Sequence, residues 1–193
     1  AAFAAGSYQK VPILQGSNRD EYRLFVALNE QNPPDAPAGP LTLDEYEAAM
    51  KALFGDMAGT GLAALYPPSA YGNSPGLAQA TAGTDAVFAC PMLRALQALT
   101  AGGSVYAYEF SDPKAPQLFL PPVPDFEYGA SHASELPYLF TLPRASLSDE
   151  QKALSDAMVE YWTNFAKDAD PNGGELPDWP AFTVDANRIL SLA

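Results

Sequence analysis

Apolar and polar positions change in blocks along this chain, with no repeat of fixed period. Residues 11–16, VPILQG, form a short apolar run that Gly16 is expected to stop, and the run reads as a buried strand. Turn chemistry places a proline-rich loop over roughly 32–40. Thr42 and Glu45 then have capping-box spacing, and Leu43, Tyr46, Met50, Leu53 and Phe54 fall on one helical face. A second helical pattern covers 84–100, with Val87, Phe88, Leu93, Leu96 and Leu99 apolar, and Pro91 should kink or restart it. Gly102 and Gly103 close that helix, and VYAYEF, 105–110, is rich in β-formers and reads as a second buried strand.

A long, proline-heavy loop occupies 111–132, and loops of that length in compact proteins are usually functional or disordered. The best helix follows. Ser148 and Gln151 make its capping box, Leu154, Met158, Tyr161, Trp162 and Phe165 make its buried stripe, and DADPNGG stops it. RILSL, 188–192, is a third strand candidate. Strands separated by helices predict an α/β architecture with a parallel sheet. Three strands make a thin sheet whose two outer strands are edges. Either further strands lie in another segment, or the chain pairs with a copy of itself.

Length and composition narrow the picture. The 193 residues suit one domain or a large part of one, and 48% hydrophobic against 17% charged residues supplies a core. No apolar run is long enough to cross a bilayer. The opening AAFAAGSYQK lacks the basic start and apolar stretch of a signal peptide, which predicts a mature or truncated form. Acidic residues outnumber basic ones 23 to 10, for a net charge of −13. That argues against a nucleic-acid partner and against docking on anionic membranes, and reads as a solvated acidic surface. One cysteine, Cys90, cannot form an internal disulfide, and with one histidine there is little to ligate a metal. No metal and no cofactor is expected. The alanine- and proline-rich, lysine-poor composition fits a secreted bacterial enzyme, with a cytoplasmic setting as the alternative.

Few residues could do chemistry. His132 ends the long loop that follows the VYAYEF strand. A lone histidine is more often structural than catalytic, but catalytic groups of α/β folds gather at strand carboxyl ends. Asp20 and Glu21 follow the first strand, where they could orient an imidazole or simply cap the next segment or face solvent. In α/β-hydrolases the chain order is serine, acid, histidine, and an acid at 21 with a histidine at 132 obeys its second half. The string GNSPG, 72–76, matches G-x-S-x-G by letter only. Pro75 lacks the N–H needed for an oxyanion hole, no strand leads into the motif, and Ser74 lies after the acid, so it reads as a turn residue.

Family resemblance adds what spacing cannot. GSNRDEYRLF resembles the G-x-N-x-D-E-G segment of type-B carboxylesterases and cholinesterases (para-nitrobenzyl-esterase-like), which implies that Glu21 is the triad acid. Tyr22 replaces the usual glycine there and should crowd the turn. GASHASELPYLF resembles G-x-x-H-x-x-E-L-x-F-x-F, which implies that His132 is the triad base and that Glu135 is structural. TDAVFACPMLRAL, LSDAMVEYWTNFAKDADPN and LPDWPAFT resemble three further family segments in the family's order, so the likeness runs over 12–192.

The resemblance implies that residues 1–193 are the carboxyl-terminal half of a single α/β-hydrolase domain, a mostly parallel sheet flanked by helices and incomplete in this chain. The serine elbow and oxyanion glycines would lie upstream, in the missing amino-terminal half. It implies a serine carboxylesterase acting on a small-molecule ester through an acyl-enzyme, with this chain alone inactive. A non-catalytic binding or adhesion relative is the alternative, and self-association of the fragment is a further expectation. The loop 111–131 is expected to help line the substrate pocket through Phe119, Leu120, Phe126 and Tyr128. Cys90 matches a position that in cholinesterase relatives pairs with a cysteine beyond this chain's end, and is expected here to be a buried free thiol.

Overall fold

The computed structural model describes residues 5–32, 38–119, 126–142 and 145–193. In chain order its elements are β1 (Ile13–Asn18), α1 (Arg23–Gln31), α2 (Tyr46–Phe54) and α3 (Asp56–Leu65). A 3-10 turn, Pro68–Tyr71, leads to α4 (Pro75–Thr84), a π-helical turn (Asp85–Ala89) and α5 (Cys90–Leu99). Then come β2 (Val105–Phe110), α6 (Leu136–Leu139), α7 (Asp149–Asp168) and β3 (Leu190–Leu192). The strands form one sheet in the order β1-β2-β3, parallel throughout, with Ile13 opposite Val105 and Asn18 opposite Phe110.

The central strand is covered on both faces, and its alternation decides what each face meets. Val105 and Ala107 pack with Leu96, Leu99 and the half-buried Met92 and Leu93 of α5. Tyr106 and Phe110 pack on the other face with Met158 and Tyr161 of α7. The stripe expected on α7 is there: Met158 and Tyr161 are buried, and Leu154, Trp162 and Phe165 pack against the same core. Ser148 caps α7 as its spacing predicts, accepting from Gln151 N–H at 3.3 Å, while the Gln151 side chain accepts from Ser148 N–H at 2.9 Å. Trp179 seals this face with its indole N–H on the Ala107 carbonyl at 3.1 Å. Asn172, from the segment that stops α7, bonds the Trp179 backbone through both ends of its carboxamide.

Several expectations need correction. Gly16 does not stop β1, which runs two residues further. It lies instead where Tyr108 of the neighbouring strand crosses, and a Cβ at 16 would overlap that residue, so the glycine permits close approach. The helical run expected over 84–100 begins at Pro75, capped by Ser74, whose hydroxyl accepts from Leu77 N–H at 3.2 Å. Pro91 itself behaves as expected: the α-helix restarts at Cys90, with the proline in the first turn of α5. The π-turn just upstream, closed by Cys90 N–H on the Asp85 carbonyl, absorbs the donor that proline lacks. Cys90 is exposed, not buried. It stands about 180° round the helix from the buried Leu99, nine residues on. The Thr42–Glu45 box is half made: the carboxylate accepts from Thr42 N–H at 3.1 Å, but the Thr42 hydroxyl also turns to it and α2 begins only at Tyr46, leaving Leu43 exposed.

The tyrosine at position 22 is accommodated across the helix pair. Tyr22 N–H donates to Thr84 Oγ1 at 3.0 Å, and the Tyr22 ring fills the space where Gly83 has no side chain. Gly83→Ala in the full-length protein should therefore lower the unfolding free energy by about 1–3 kcal/mol through overpacking. Tyr22→Gly in the same chain should recover most of that loss in urea unfolding. An unchanged midpoint for Gly83→Ala would show that ring and helix are not in tight contact.

Candidate active site

Adjacent parallel strands deliver their carboxyl ends to one edge of the sheet. β1 ends at Asn18 and runs into the turn that carries Asp20 and Glu21; the loop after β2 returns to the same edge and carries His132. The two segments are zipped by backbone bonds. Asp20 N–H donates to the Ala130 carbonyl at 3.0 Å, and His132 N–H donates to the Glu21 carbonyl at 3.2 Å.

The acidic pair divides its work. Glu21 Oε2 lies 2.7 Å from His132 Nδ1, and Glu21 Oε1 accepts from Asn18 N–H at 2.8 Å. Asp20 turns the other way, pairing with Arg19 at 2.8 Å and Arg23 at 2.9 Å and accepting from Ala130 N–H at 3.0 Å. It clamps the loop and does not meet the imidazole. Gly129 beside it has φ +56°, and a side chain there would strike the Asp20 carboxylate, so both backbone and space require glycine. Ala133, directly after His132, also sits at positive φ (+65°), a conformation that costs a residue with a Cβ about 1–2 kcal/mol and that the surrounding bonds must hold.

Burial of Glu21 (6% exposed) pushes its carboxyl above the ordinary glutamate range, and nearby Glu135 pushes the same way. The bonds from Asn18 and His132 oppose that rise without cancelling it. The His132 side chain is 44% exposed, and Nε2 makes no hydrogen bond among the described residues. With Glu21 ionised, its oxygens only accept, so the proton sits on Nδ1 and the Nε2 lone pair is open. The imidazole also meets Phe25 at 5.2 Å and Phe88 at 5.6 Å between centroids. Sequence reasoning misses Phe25, although its place four residues after Glu21, one helical turn on, is the available signal.

Ser74 is remote from this pair. α4 runs antiparallel to α1, with Thr84 beside Tyr22 and Gly76 against Glu30, so the ten residues from 74 to 84 carry Ser74 about 15 Å away. A cleft of about 350 Å³ opens beside Phe25, walled by Tyr22 and Val26 of the acid turn and α1, Ala49 and Leu53 of α2, and Gln79 of α4. Three of the residues expected to line a substrate pocket fall among the described residues. Phe119 is exposed, Phe126 and Tyr128 pack edge-to-face at 5.4 Å near the far end of α1, and Leu120 lies outside the described residues. Glu135 accepts from Asn18 Nδ2, a structural contact at the rim of the site. No group of His, Cys, Asp and Glu among the described residues could hold a metal ion, and no helix among them is long and apolar enough to cross a membrane.

The carboxylesterase family model matches residues 1–193. The chain is 29% identical to a cocaine esterase of Oryctolagus cuniculus over 98% of its own length and 36% of the relative's. It is 41% identical to carboxylesterase 4A of Bos taurus over 46% of this chain and 16% of that one. Among solved structures, a PNB esterase superposes with a TM-score of 0.68 at 28% identity, covering 99% of this chain and 36% of that chain. A thermophylic PNB esterase gives 0.67 at 27%, with the same coverage. The chain thus has part of an α/β-hydrolase fold and spans about a third of the length of those structures.

The raised proton affinity of Glu21 has a consequence for stability. A carboxyl whose folded-state value lies above its unfolded one penalises the fold once ionised. The penalty is absent below the free value near 4.5 and grows as pH rises through the folded value. The stability of Glu21→Gln relative to the parent should therefore rise with pH from about 4.5 and then level off, with a slope no steeper than about 1.4 kcal/mol per pH unit. Denaturant unfolding from pH 4 to 8 measures this; a difference that falls with pH would contradict the burial-dominated balance.

Proposed function

This chain belongs to the carboxylesterase family, and from that premise we propose that the whole protein hydrolyses small-molecule carboxylic esters through an acyl-enzyme, with Glu21 as the acid and His132 as the base. The 2.7 Å contact between Glu21 Oε2 and His132 Nδ1 carries this reading. His132 Nε2 takes the proton of a serine hydroxyl as that oxygen attacks the ester carbonyl, and the imidazolium passes the proton to the departing alcohol. Water then adds to the acyl-enzyme, giving a proton to Nε2, and the imidazolium returns one to the serine oxygen as the acid leaves. Glu21 holds the Nδ1–H tautomer and stabilises the imidazolium.

The nucleophile and oxyanion donors belong, in this proposal, to an amino-terminal part of the same domain, with residues 1–193 as its carboxyl-terminal part, nearer a third than the half that the sequence suggested. Two observations support it: among the described residues β1 and β3 each pair on one side only, and the chain spans 36% of the matching esterase structures. The partner of the sheet edge is then the rest of the protein in preference to a second copy. The cleft beside Phe25 is a candidate for the apolar part of the ester. A secreted setting is part of the same proposal and rests on composition alone. A binding or adhesion relative has no need of the Glu21–His132 bond.

In the full-length protein, His132→Gln should lower kcat by about 10⁶-fold, and Glu21→Gln by about 10⁴-fold, with far smaller changes in KM. A fluorophosphonate probe should label the parent at one serine, and residues 1–193 alone should give no turnover. Full activity in His132→Gln, absence of labelling, or turnover by the 193-residue chain would each sink the assignment.

A further inference from the structure

We propose that Asn18 is a positioning residue of this site, a single side chain and backbone that hold Glu21 and the His132 loop in one frame; the proposal rests on the roles given above to Glu21 and His132. Asn18 is the last residue of β1 and is 3% exposed. Its backbone N–H donates to Glu21 Oε1 at 2.8 Å, the oxygen the imidazole does not use. Its carboxamide Nδ2 donates to the Ser131 carbonyl at 2.8 Å and to Glu135 Oε2 at 2.5 Å. Ser131 immediately precedes His132 and Glu135 follows it, so one amide grips the loop on both sides of the imidazole.

The chemistry requires a carboxamide. Both partners of Nδ2 are acceptors, so a flipped amide would set Oδ1 against two oxygens, and the network fixes its orientation. Both N–H groups of Nδ2 are used. Aspartate has the same shape but no donor, and it would add a third carboxylate to the two that Asn18 now links. Alanine keeps the strand and loses the grip. The backbone bond to Glu21 survives every side-chain substitution, so variants at 18 isolate the loop half of the frame.

The test compares Asn18→Asp, Asn18→Ala, Glu135→Gln and Asn18→Asp/Glu135→Gln in the full-length protein, with p-nitrophenyl acetate as substrate and active sites counted by fluorophosphonate labelling. Asn18→Asp should lower kcat per labelled site about 10- to 100-fold with KM within about two-fold, as expected for a misplaced base. The double variant should regain at least about five-fold, because a carboxamide in place of the Glu135 carboxylate can donate to the new acid and reverse the pair. A purely structural role would reduce the number of labelled sites and leave kcat per site unchanged, which would overturn the proposal. So would a double variant no better than Asn18→Asp.

A second readout needs no turnover. In ¹⁵N-histidine spectra the Nδ1-bound proton of His132, identified by its loss in His132→Gln, should exchange with water about ten-fold faster in Asn18→Asp and slow again in the double variant. Unchanged exchange in Asn18→Asp would overturn the proposal. Failure of the wider catalytic reading looks different. His132→Gln would then stay fully active while Asn18→Asp still speeds proton exchange, a pattern that would support the grip of Asn18 on the pair and remove its catalytic purpose.

Discussion

The parallel pairing of β1 with β2 is the constraint on which the rest depends. Asn18 and Phe110 face each other at the ends of the two strands, and the ladder continues one step beyond them through Arg19 N–H on the Phe110 carbonyl at 2.9 Å. The turn at 19–22 and the loop that ends at His132 therefore start from the same edge. Their reunion is fixed by Asp20 with Ala130 and by Glu21 with His132 through the backbone, before any side chain of the pair is considered. An antiparallel partner would have sent one of the two segments to the opposite end of the sheet.

Within that frame the two groups sit in unlike surroundings. Glu21 is buried and its desolvation outweighs the bonds it accepts, so the carboxyl holds its proton more tightly than a free one. The imidazole is half exposed. Low polarity around Glu21 strengthens the single bond it makes to Nδ1, because little water competes for either oxygen. Glu21 Oε1 is occupied by the Asn18 backbone, which leaves Oε2 for the ring. The carboxyl is thus held behind and the imidazole in front, an asymmetry that follows from burial and from the Asn18 bond.

Much of this can be read from the residues. β2 is legible because VYAYEF is dense in β-formers and bounded by glycines on one side, and the α7 cap because Ser148 and Gln151 have the spacing that two reciprocal bonds require. Other features depend on partners distant in sequence. Gly16 looks like a terminator because its reason for being glycine is Tyr108, on the neighbouring strand and far along the chain. Asp20 and Glu21 cannot be told apart as neighbours in a string; Arg23 and Gly129 claim one, and the imidazole claims the other. Helix α3 escapes a reading by periodicity because its inward face is narrow: Gly59 is buried, Leu62 and Ala63 pack against the core, and the larger Met57 and Leu65 are exposed. Cys90 misleads because its residue type favours burial, whereas the phase of α5 puts Leu96 and Leu99 inward.

The π-turn joins the fold to the site. Proline at 91 removes a donor and crowds the carbonyl four residues back, and an α-helix would have to kink to accommodate it. Widening the turn at Asp85–Ala89 lets the helical run continue, and it is from this turn that Phe88 reaches the imidazole. Phe25 approaches the ring from α1, and the two phenyl rings lie 6.2 Å apart. Neither can hydrogen-bond in the plane of the imidazole, so they restrict its rotation without competing for its nitrogens. With Nδ1 held by Glu21, the remaining polar direction is Nε2, the atom at which the proposed proton transfer takes place. A backbone irregularity beside one proline, on a helix far from the loop that carries His132 in the chain, thereby becomes part of what orients the imidazole.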